Sequence, residues 1–267
     1  MIHVENLTKT FRVAKRGHGL AAAVRSFVAP RFETVTALDG VSFRIDAGEI
    51  VGYIGPNGAE KSTTVKVLSG ILTPDSGHCE IDGLVPWKNR VRHVAKIGVV
   101  FGQRSQLWWD TPVIDSFELL RDIYRVPQET YLRSKDRLVE ALELGPLLTT
   151  PVRQLSLGQR MKCELAAAML HEPRLLFLDE PTIGLDATAR LAIREFIRQI
   201  NRERGVTILL TTHDTHDIEA LCDRVMLIGK GHILYDGSFA ALKVRYDGDG
   251  ASEADVIIDR LYKDYQL

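Results

Sequence analysis

The stretch that decides the fold runs from residue 55 to residue 63 and reads Gly55-Pro56-Asn57-Gly58-Ala59-Glu60-Lys61-Ser62-Thr63. It follows a mainly apolar run, 49–54, and precedes a pattern typical of a helix. A loop between a strand and a helix can wrap phosphate groups with successive backbone N–H groups, because the helix dipole favours negative charge there. In such a loop Lys61 reaches the β- and γ-phosphate oxygens and Ser62 ligates Mg²⁺. The stretch therefore predicts a site for a nucleoside triphosphate.

Glu60 departs from the phosphate-loop pattern G-x-x-x-x-G-K-[ST], which has a second glycine directly before the lysine. Glycine suits that position because the backbone must approach the phosphates closely. A glutamate adds bulk and a negative charge beside an anionic ligand. Taken alone, the loop also fits an ordinary glycine-rich turn, so the rest of the chain has to decide between the two interpretations.

The length and charge of the chain narrow the classes of function. A chain of 267 residues can bury the core of one large domain. Its 34 Lys and Arg against 35 Asp and Glu give a net charge of −1, so no charge imbalance favours nucleic acid as a partner. The scattered Cys79, Cys163 and Cys222 indicate a reducing compartment and no disulfide or metal framework. With no signal segment and no apolar run near the ~18 residues that span a bilayer, we expect a soluble, cytoplasmic protein that can sit on a membrane partner.

Strand patterns alternate with helix patterns along most of the chain, which predicts an α/β fold with a mainly parallel sheet. Strands are predicted at 1–12, 35–46, 78–81, 96–101, 174–181, 206–212, 225–228 and 232–236. Helices are predicted at roughly 61–69, 116–170 with breaks at prolines, 187–201 and 253–265. Ligands of parallel sheets collect at the carboxyl ends of the strands. The residues at such ends are Gln103, Asp179, Glu180 and His213.

Several motifs along the chain resemble those of ATP-binding cassette (ABC) ATPases, in the order and spacing of that family. Leu155-Ser156-Leu157-Gly158-Gln159 resembles the L-S-G-G-Q signature, with its third position changed to Leu157. The remaining matches are Gln103 for the Q-loop, Gly184-Leu185-Asp186 for the D-loop, His213 for the switch histidine and Phe11 for the aromatic residue that stacks on adenine. The resemblance covers nearly the whole chain.

Each of these residues alone has an ordinary structural interpretation. Gln103 and His213 would be satisfied polar residues, Phe11 a core residue and Ser156 a helix N-cap. The adjacent carboxylates of 179 and 180 are harder to explain in that way, because buried unpaired charge is costly. Together, the ordinary interpretations require independent coincidences at strand ends that face one loop.

The resemblance implies a P-loop ATPase core with an N-terminal antiparallel β subdomain and an inserted α-helical subdomain. The expected boundaries are 1–54 for the β subdomain and first core strand, 55–104 for phosphate loop to Q-loop, 105–170 for the helical subdomain with the signature, 171–237 for the rest of the core and 238–267 for a C-terminal helical tail. We expect one nucleotide-binding domain in all.

The resemblance also implies a chemistry of phosphoryl transfer with ATP and Mg²⁺. Ser62 and Gln103 would ligate the ion, and Asp179 would hold its shell through water. Glu180 would be the general base, and His213 would contact the γ-phosphate. In the family, two such domains face head to tail, so that Ser156, Gly158 and Gln159 of the signature act on the partner's nucleotide and Asp186 helps to link the two sites.

The implied partners are a second nucleotide-binding subunit and transmembrane permease subunits. Trp108 and Trp109 follow the Q-loop in a polar stretch and form a candidate docking patch, unless both rings pack inside the subdomain. This stretch, the basic and apolar insertion at 13–34 and Leu157 most resemble the ATPase subunits of ABC-2-type exporters. The sequence fits two functions. The first is an ATP-hydrolysing export subunit at the cytoplasmic face of the membrane, and the second is an ABC subunit with a structural or regulatory role in which Glu60 impairs nucleotide binding. A soluble ABC protein of translation or DNA repair is a weaker third interpretation, because such proteins usually carry two cassettes or a coiled coil.

Overall fold

The computed structural model describes residues 1–14, 32–56, 61–102, 104–247 and 253–267. Asn57, Gly58, Ala59, Glu60 and Gln103, all predicted site residues, lie outside the described residues, as does most of the predicted insertion at 13–34.

The strands of the described residues form two sheets. They are β1 (Ile2–Ala14), β2 (Phe32–Ile45), β3 (Ile50–Ile54), β4 (Ser76–Ile81), β5 (Ile97–Phe101), β6 (Leu175–Asp179), β7 (Thr207–Thr211), β8 (Arg224–Gly229) and β9 (His232–Ser238). One sheet is antiparallel, with the order β2-β1-β4, and the other has the order β5-β6-β7-β3-β8-β9. The second sheet is parallel except for β9, which pairs antiparallel with β8.

The helices cover the larger sheet and fill the stretch between β5 and β6. They are α1 (Lys61–Leu68), α2 (Arg90–Val94), α3 (Val113–Tyr124), α4 (Gln128–Ala141), α5 (Leu157–Met169), α6 (Ala187–Arg204), α7 (Thr215–Leu221), α8 (Phe239–Asp247) and α9 (Ala254–Asp264). Short 3₁₀ turns at Gly145–Leu147 and Val152–Gln154 precede α5. Helix α5 packs on α3 and α4 and also on β5, so it joins the helical region to the sheet.

The strands of the larger sheet other than β9 are buried on both faces, and their alternate residues enter different cores. In β6, Leu175 and Phe177 face the core shared with the antiparallel sheet, whereas Leu176 and Leu178 face the core formed with the helices. Successive side chains of a strand point to opposite faces, so each of these buried strands must be apolar at nearly every position. This explains the continuous apolar runs of the sequence, and it leaves only the strand ends for polar side chains.

The structure confirms the predicted fold class, an α/β core with a mainly parallel sheet and an antiparallel N-terminal sheet. The first two strands are longer than predicted, since β1 and β2 extend to Ala14 and Phe32. Two short helices, α2 and α7, were not predicted from the pattern. All three cysteines are buried. Among the described residues, no helix combines the length and the apolar character needed to cross a membrane.

Candidate nucleotide site

Lys61 is the first residue of α1 and lies almost completely buried behind the start of the phosphate loop. Its Nζ atom donates hydrogen bonds to the carbonyl oxygens of Gly55, at 2.7 Å, and Pro56, at 3.2 Å. Burial lowers the pKa of Lys61, and the charges of Glu180 and Asp179 oppose that shift. The two carbonyls therefore fix an ammonium group between the loop and the carboxylates that end β6.

Asp179 ends β6 and faces the start of α1. Its Oδ1 accepts hydrogen bonds from the hydroxyls of Ser62, at 3.1 Å, and Thr211, at 2.6 Å. Hydroxyl and carboxylate oxygens are the donors that Mg²⁺ prefers, so Ser62 and Asp179 fit the ion that the resemblance implies. Thr63, the next residue of the loop, is buried in α1 and faces away from solvent.

The segment before Gln103 leaves no space for a side chain. The Gly102 N–H donates to the carbonyl of Asp179 at 2.8 Å, and a Cβ at Gly102 would lie 2.4 Å from the carbonyl oxygen of Glu180. Such a contact excludes any larger residue unless the backbone moves. Gly102 therefore brings the chain that enters the predicted Q-loop directly against the backbone of Asp179 and Glu180.

Glu180 has a left-handed backbone, with φ of 53°, which is uncommon for a residue other than glycine. Its N–H donates to the carbonyl oxygen and the hydroxyl of Thr211, at 3.0 and 3.1 Å. The Glu180 Oε1 lies 3.3 Å from Nδ1 of His213, whose side chain is half exposed. Both residues line a cavity of about 270 Å³. Strained backbone that the surroundings hold in place is typical of functional sites.

The signature residues lie at the start of α5, where Ser156 is the N-cap. The Ser156 hydroxyl accepts from the Gln159 N–H at 3.2 Å, and the Gln159 side chain accepts from the Ser156 N–H at 2.9 Å, which forms a capping box. The N-cap interpretation of Ser156 is thus correct, and it leaves the hydroxyl proton free to donate.

Gly158 and Asp186 bring the signature and the start of α6 together. A Cβ at Gly158 would lie 2.7 Å from Cβ of Ala189, so the two helices are in close contact. Asp186 caps α6 by accepting from the Ala189 N–H at 2.9 Å. Ser156, Gly158, Gln159 and Asp186 all line one cavity of about 450 Å³. None of the residues that line it also lines the cavity beside Glu180.

Phe11 lies on β1, half-buried, opposite Val35 of β2. The preceding residues are fixed by Asp75, whose carboxylate accepts from Lys9 Nζ at 2.8 Å and from the Thr10 N–H at 2.6 Å. Phe11 is therefore not a core residue, and the Lys9 ammonium group lies 5.7 Å from the centroid of its ring.

The Trp pair does not pack inside the helical region. The side chains of Trp108 and Trp109 are 42% and 51% exposed, and the Arg160 guanidinium lies 5.6 Å from the ring centroid of Trp109. Sequence reasoning missed Thr211, which donates to the Asp179 carboxylate and accepts from the Glu180 N–H. Its place at the end of β7, beside β6, was the available signal.

Comparison with known proteins identifies the family of the chain. Residues 38–183 match the family described as ABC transporter. The chain belongs to the ABC transporter family.

Relatives of this ABC ATPase domain include a protein named for drug resistance and a protein named for import. The linearmycin resistance ATP-binding protein LnrL of Bacillus subtilis is 35% identical over 80% of this chain and 68% of its own length. The methionine import ATP-binding protein MetN of Geobacillus kaustophilus is 33% identical over 89% of this chain and 65% of its own. A solved dimeric structure of the cassette MJ0796 with ADP and Pi has a TM-score of 0.73 at 26% identity, over 89% of this chain and 98% of the other. The predicted family is confirmed, and the chain is an ABC ATPase subunit that powers transport.

Proposed function

We propose that this chain hydrolyses ATP to drive export through partner permease subunits. The observation that carries the proposal is the convergence of Lys61, Ser62, Asp179, Glu180 and His213 at one edge of the parallel sheet. Export is favoured over import by the resemblance of 13–34, the Trp pair and Leu157 to ABC-2-type exporters, and by the resistance function in the name of LnrL.

The side chains at this edge suit the parts of phosphoryl transfer. Phosphate groups bind on the loop from Gly55 to Thr63 beside the Lys61 ammonium group. Ser62 and Asp179, with Gln103, hold Mg²⁺, which neutralises phosphate charge when it is bound. Glu180 accepts the proton of the attacking water, and His213, 3.3 Å from Glu180, orients that carboxylate and contacts the γ-phosphate.

A second nucleotide-binding subunit, identical or related, completes each site. Ser156, Gly158, Gln159 and Asp186 line a cavity separate from the one beside Glu180, so they are available to a nucleotide held by another subunit. The dimer of MJ0796 supports this arrangement. Nucleotide binding then closes the pair, and hydrolysis releases it.

The permease subunits dock on the exposed Trp108 and Trp109 at the cytoplasmic face of the membrane. The loop that carries these residues directly follows Gln103, so contact with a permease is passed to the nucleotide site. In the same proposal, the adenine ring of ATP stacks on Phe11.

We divide the domain into its subdomains after residues 54, 104, 170 and 237.

A second candidate function follows from Glu60, which replaces the loop glycine. A unit charge ~4 Å from a phosphate charge costs up to ~4 kcal/mol at an effective dielectric of ~20. Half of that weakens affinity more than tenfold. The chain would then serve as a structural or regulatory subunit beside a competent partner.

The test compares MgATP affinity and ATP turnover of the chain with those of Glu60→Gly and Glu60→Gln. The glutamine variant removes the charge and keeps the bulk, so it separates the two effects. We expect Glu60→Gly to bind at least about tenfold more tightly and to hydrolyse ATP. Adding Glu180→Gln should keep binding and nearly abolish turnover, because an amide cannot accept the proton of water. A glycine variant that binds MgATP without turnover would contradict the ATPase proposal, and equal affinities would show that Glu60 does not impair the site.

A further inference from the structure

Asp217 is a completely buried carboxylate on α7, and its two oxygen atoms have different partners. Oδ2 accepts hydrogen bonds from the hydroxyls of Thr182 and Thr212, the latter at 3.2 Å. Oδ1 accepts from Nε of Arg194, at 2.5 Å. Three donors therefore hold the two oxygen atoms of this buried carboxylate.

The two threonines flank the residues proposed to do the chemistry. Thr182 lies two residues after Glu180, in the turn that leaves β6, and Thr212 lies directly before His213. A single oxygen atom of Asp217 thus joins the two backbone segments that carry Glu180 and His213.

The residue on the other side of His213 is held by the same cluster. The Asp214 carboxylate accepts from Arg190 Nη1, at 3.1 Å, and lies 3.5 Å from Nη2 of Arg194. Its N–H donates to the Thr212 hydroxyl at 3.0 Å. Both arginines belong to α6, the helix that begins after Asp186, so the cluster also ties His213 to the helix whose N-cap lines the signature cavity.

Stability alone does not explain the buried ion pair of Asp217 and Arg194, because apolar side chains of similar volume often stabilise a core equally well or better. The left-handed backbone of Glu180 supplies a reason, since such a conformation persists only where the surroundings fix it. Hydrogen bonds fix geometry in a way that apolar contacts do not. Here the geometry to be fixed is the distance between the side chains of Glu180 and His213.

We infer that Asp217 and Arg194 are positioning residues that hold Glu180 and His213 in their mutual orientation, through Thr182 and Thr212. The inference rests on the proposed ATPase function for its effect on turnover. It assigns no contact between Asp217 and substrate. Removing the link should lower turnover while leaving MgATP affinity nearly unchanged, because none of these four residues lies in the phosphate loop.

The test uses two variants of Thr182 in the Glu60→Gly chain. Thr182→Val has nearly the same shape and lacks the hydroxyl, whereas Thr182→Ser keeps it. Ser134→Ala is the control for loss of a buried hydroxyl, because Ser134 is equally buried in α4. We expect kcat to fall about ten- to hundredfold in Thr182→Val, the size of effect that small misplacements of catalytic groups produce. Turnover of Thr182→Ser and Ser134→Ala should stay near that of the parent.

Hydrogen exchange of the backbone gives a second measurement that does not need turnover. Residues 180–185 and 211–215 should exchange faster in Thr182→Val than in Thr182→Ser. If the parent chain is inactive but this difference appears, the ATPase proposal fails and the positioning role stands. If the parent is active and Thr182→Val retains its kcat, or loses kcat no more than Thr182→Ser does, the positioning role is overturned.

Discussion

Glu164, near the middle of α5, joins the signature helix to the loop that carries the Trp pair. Its side chain is 3% exposed, Oε1 accepts from the Ser105 hydroxyl, and Oε2 accepts from the Gln106 N–H at 3.2 Å. The Gln106 side chain returns a hydrogen bond to the Glu164 carbonyl at 3.1 Å. Burial raises the pKa of Glu164, and these hydrogen bonds partly offset the rise. The carboxylate is therefore the main polar attachment of residues 105–107 to α5.

The substitution Glu164→Ala removes both acceptors from Ser105, which is exposed, and from Gln106, which is half-buried. An unsatisfied buried donor costs about 1–3 kcal/mol, and both the partial exposure of these donors and relief from burying a carboxylate reduce the total. We expect a net loss of about 1–2 kcal/mol, which for a domain of this size lowers Tm by roughly 2–8 °C. Glu164→Gln keeps the volume and one acceptor oxygen, so its loss should be about half as large.

Thermal unfolding at pH 7 and pH 5 tests this reasoning. The folded chain holds the Glu164 proton more tightly than the unfolded chain, so lowering the pH towards the raised pKa stabilises the parent through this group. The glutamine variant has no such proton, and its deficit should grow from pH 7 to pH 5. Glu140→Gln, an exposed carboxylate on α4, is the control and should show no change. A Glu164→Ala chain with the Tm of the parent would refute the attachment.

Two further predictions concern the surfaces that we propose meet other subunits. Replacing Trp108 and Trp109 by Ala should leave nucleotide binding intact and weaken co-purification with the permease, since an interface Trp is typically worth ~2 kcal/mol or more. Normal co-purification would contradict the docking role, and a large drop in Tm would indicate that the two rings pack inside the chain. Gly158→Ala should push α5 away from Ala189, lower the free energy of unfolding by about 1–3 kcal/mol and reduce ATP-dependent dimerisation. In the control Gly145→Ala the added Cβ meets no atom within 4 Å, so neither stability nor dimerisation should change. Unfolding measures the stability, and light scattering measures the dimerisation.

The larger sheet was predictable because its physics is visible in the sequence. Strands buried on both faces must be apolar throughout, and the turns between them carry the glycines and polar residues that mark their ends. Helix α7 escaped prediction because its seven residues, Thr215–Leu221, are too few to show a helical period and include several polar ones. Tertiary contacts of its buried face stabilise it instead, through Ile218 and Leu221.

Of the site residues, only those that belong to known motifs could be predicted from the sequence. Lys61, Asp179 and Glu180 stand in patterns whose chemistry is known, so their roles could be proposed before any geometry. Asp217 stands in no such pattern, and its contact with Thr182 joins residues 35 positions apart. Nothing in local sequence says which buried carboxylate a threonine will meet, because that depends on how α7 packs on α6.

Leu157, the residue that departs from the signature pattern, changes the packing beside the D-loop. The change adds a side chain to the signature, and its Cδ2 atom would lie 3.2 Å from a Cβ at Gly184, at the start of the D-loop. Gly184 has a φ of 71°, so glycine is favoured there for its backbone as well as for the space it leaves. The polar groups of the signature are untouched, since the Ser156 hydroxyl and the close approach at Gly158 remain. Leu157 therefore alters the packing between signature and D-loop within one subunit, and it leaves in place the atoms that we propose contact a partner's nucleotide.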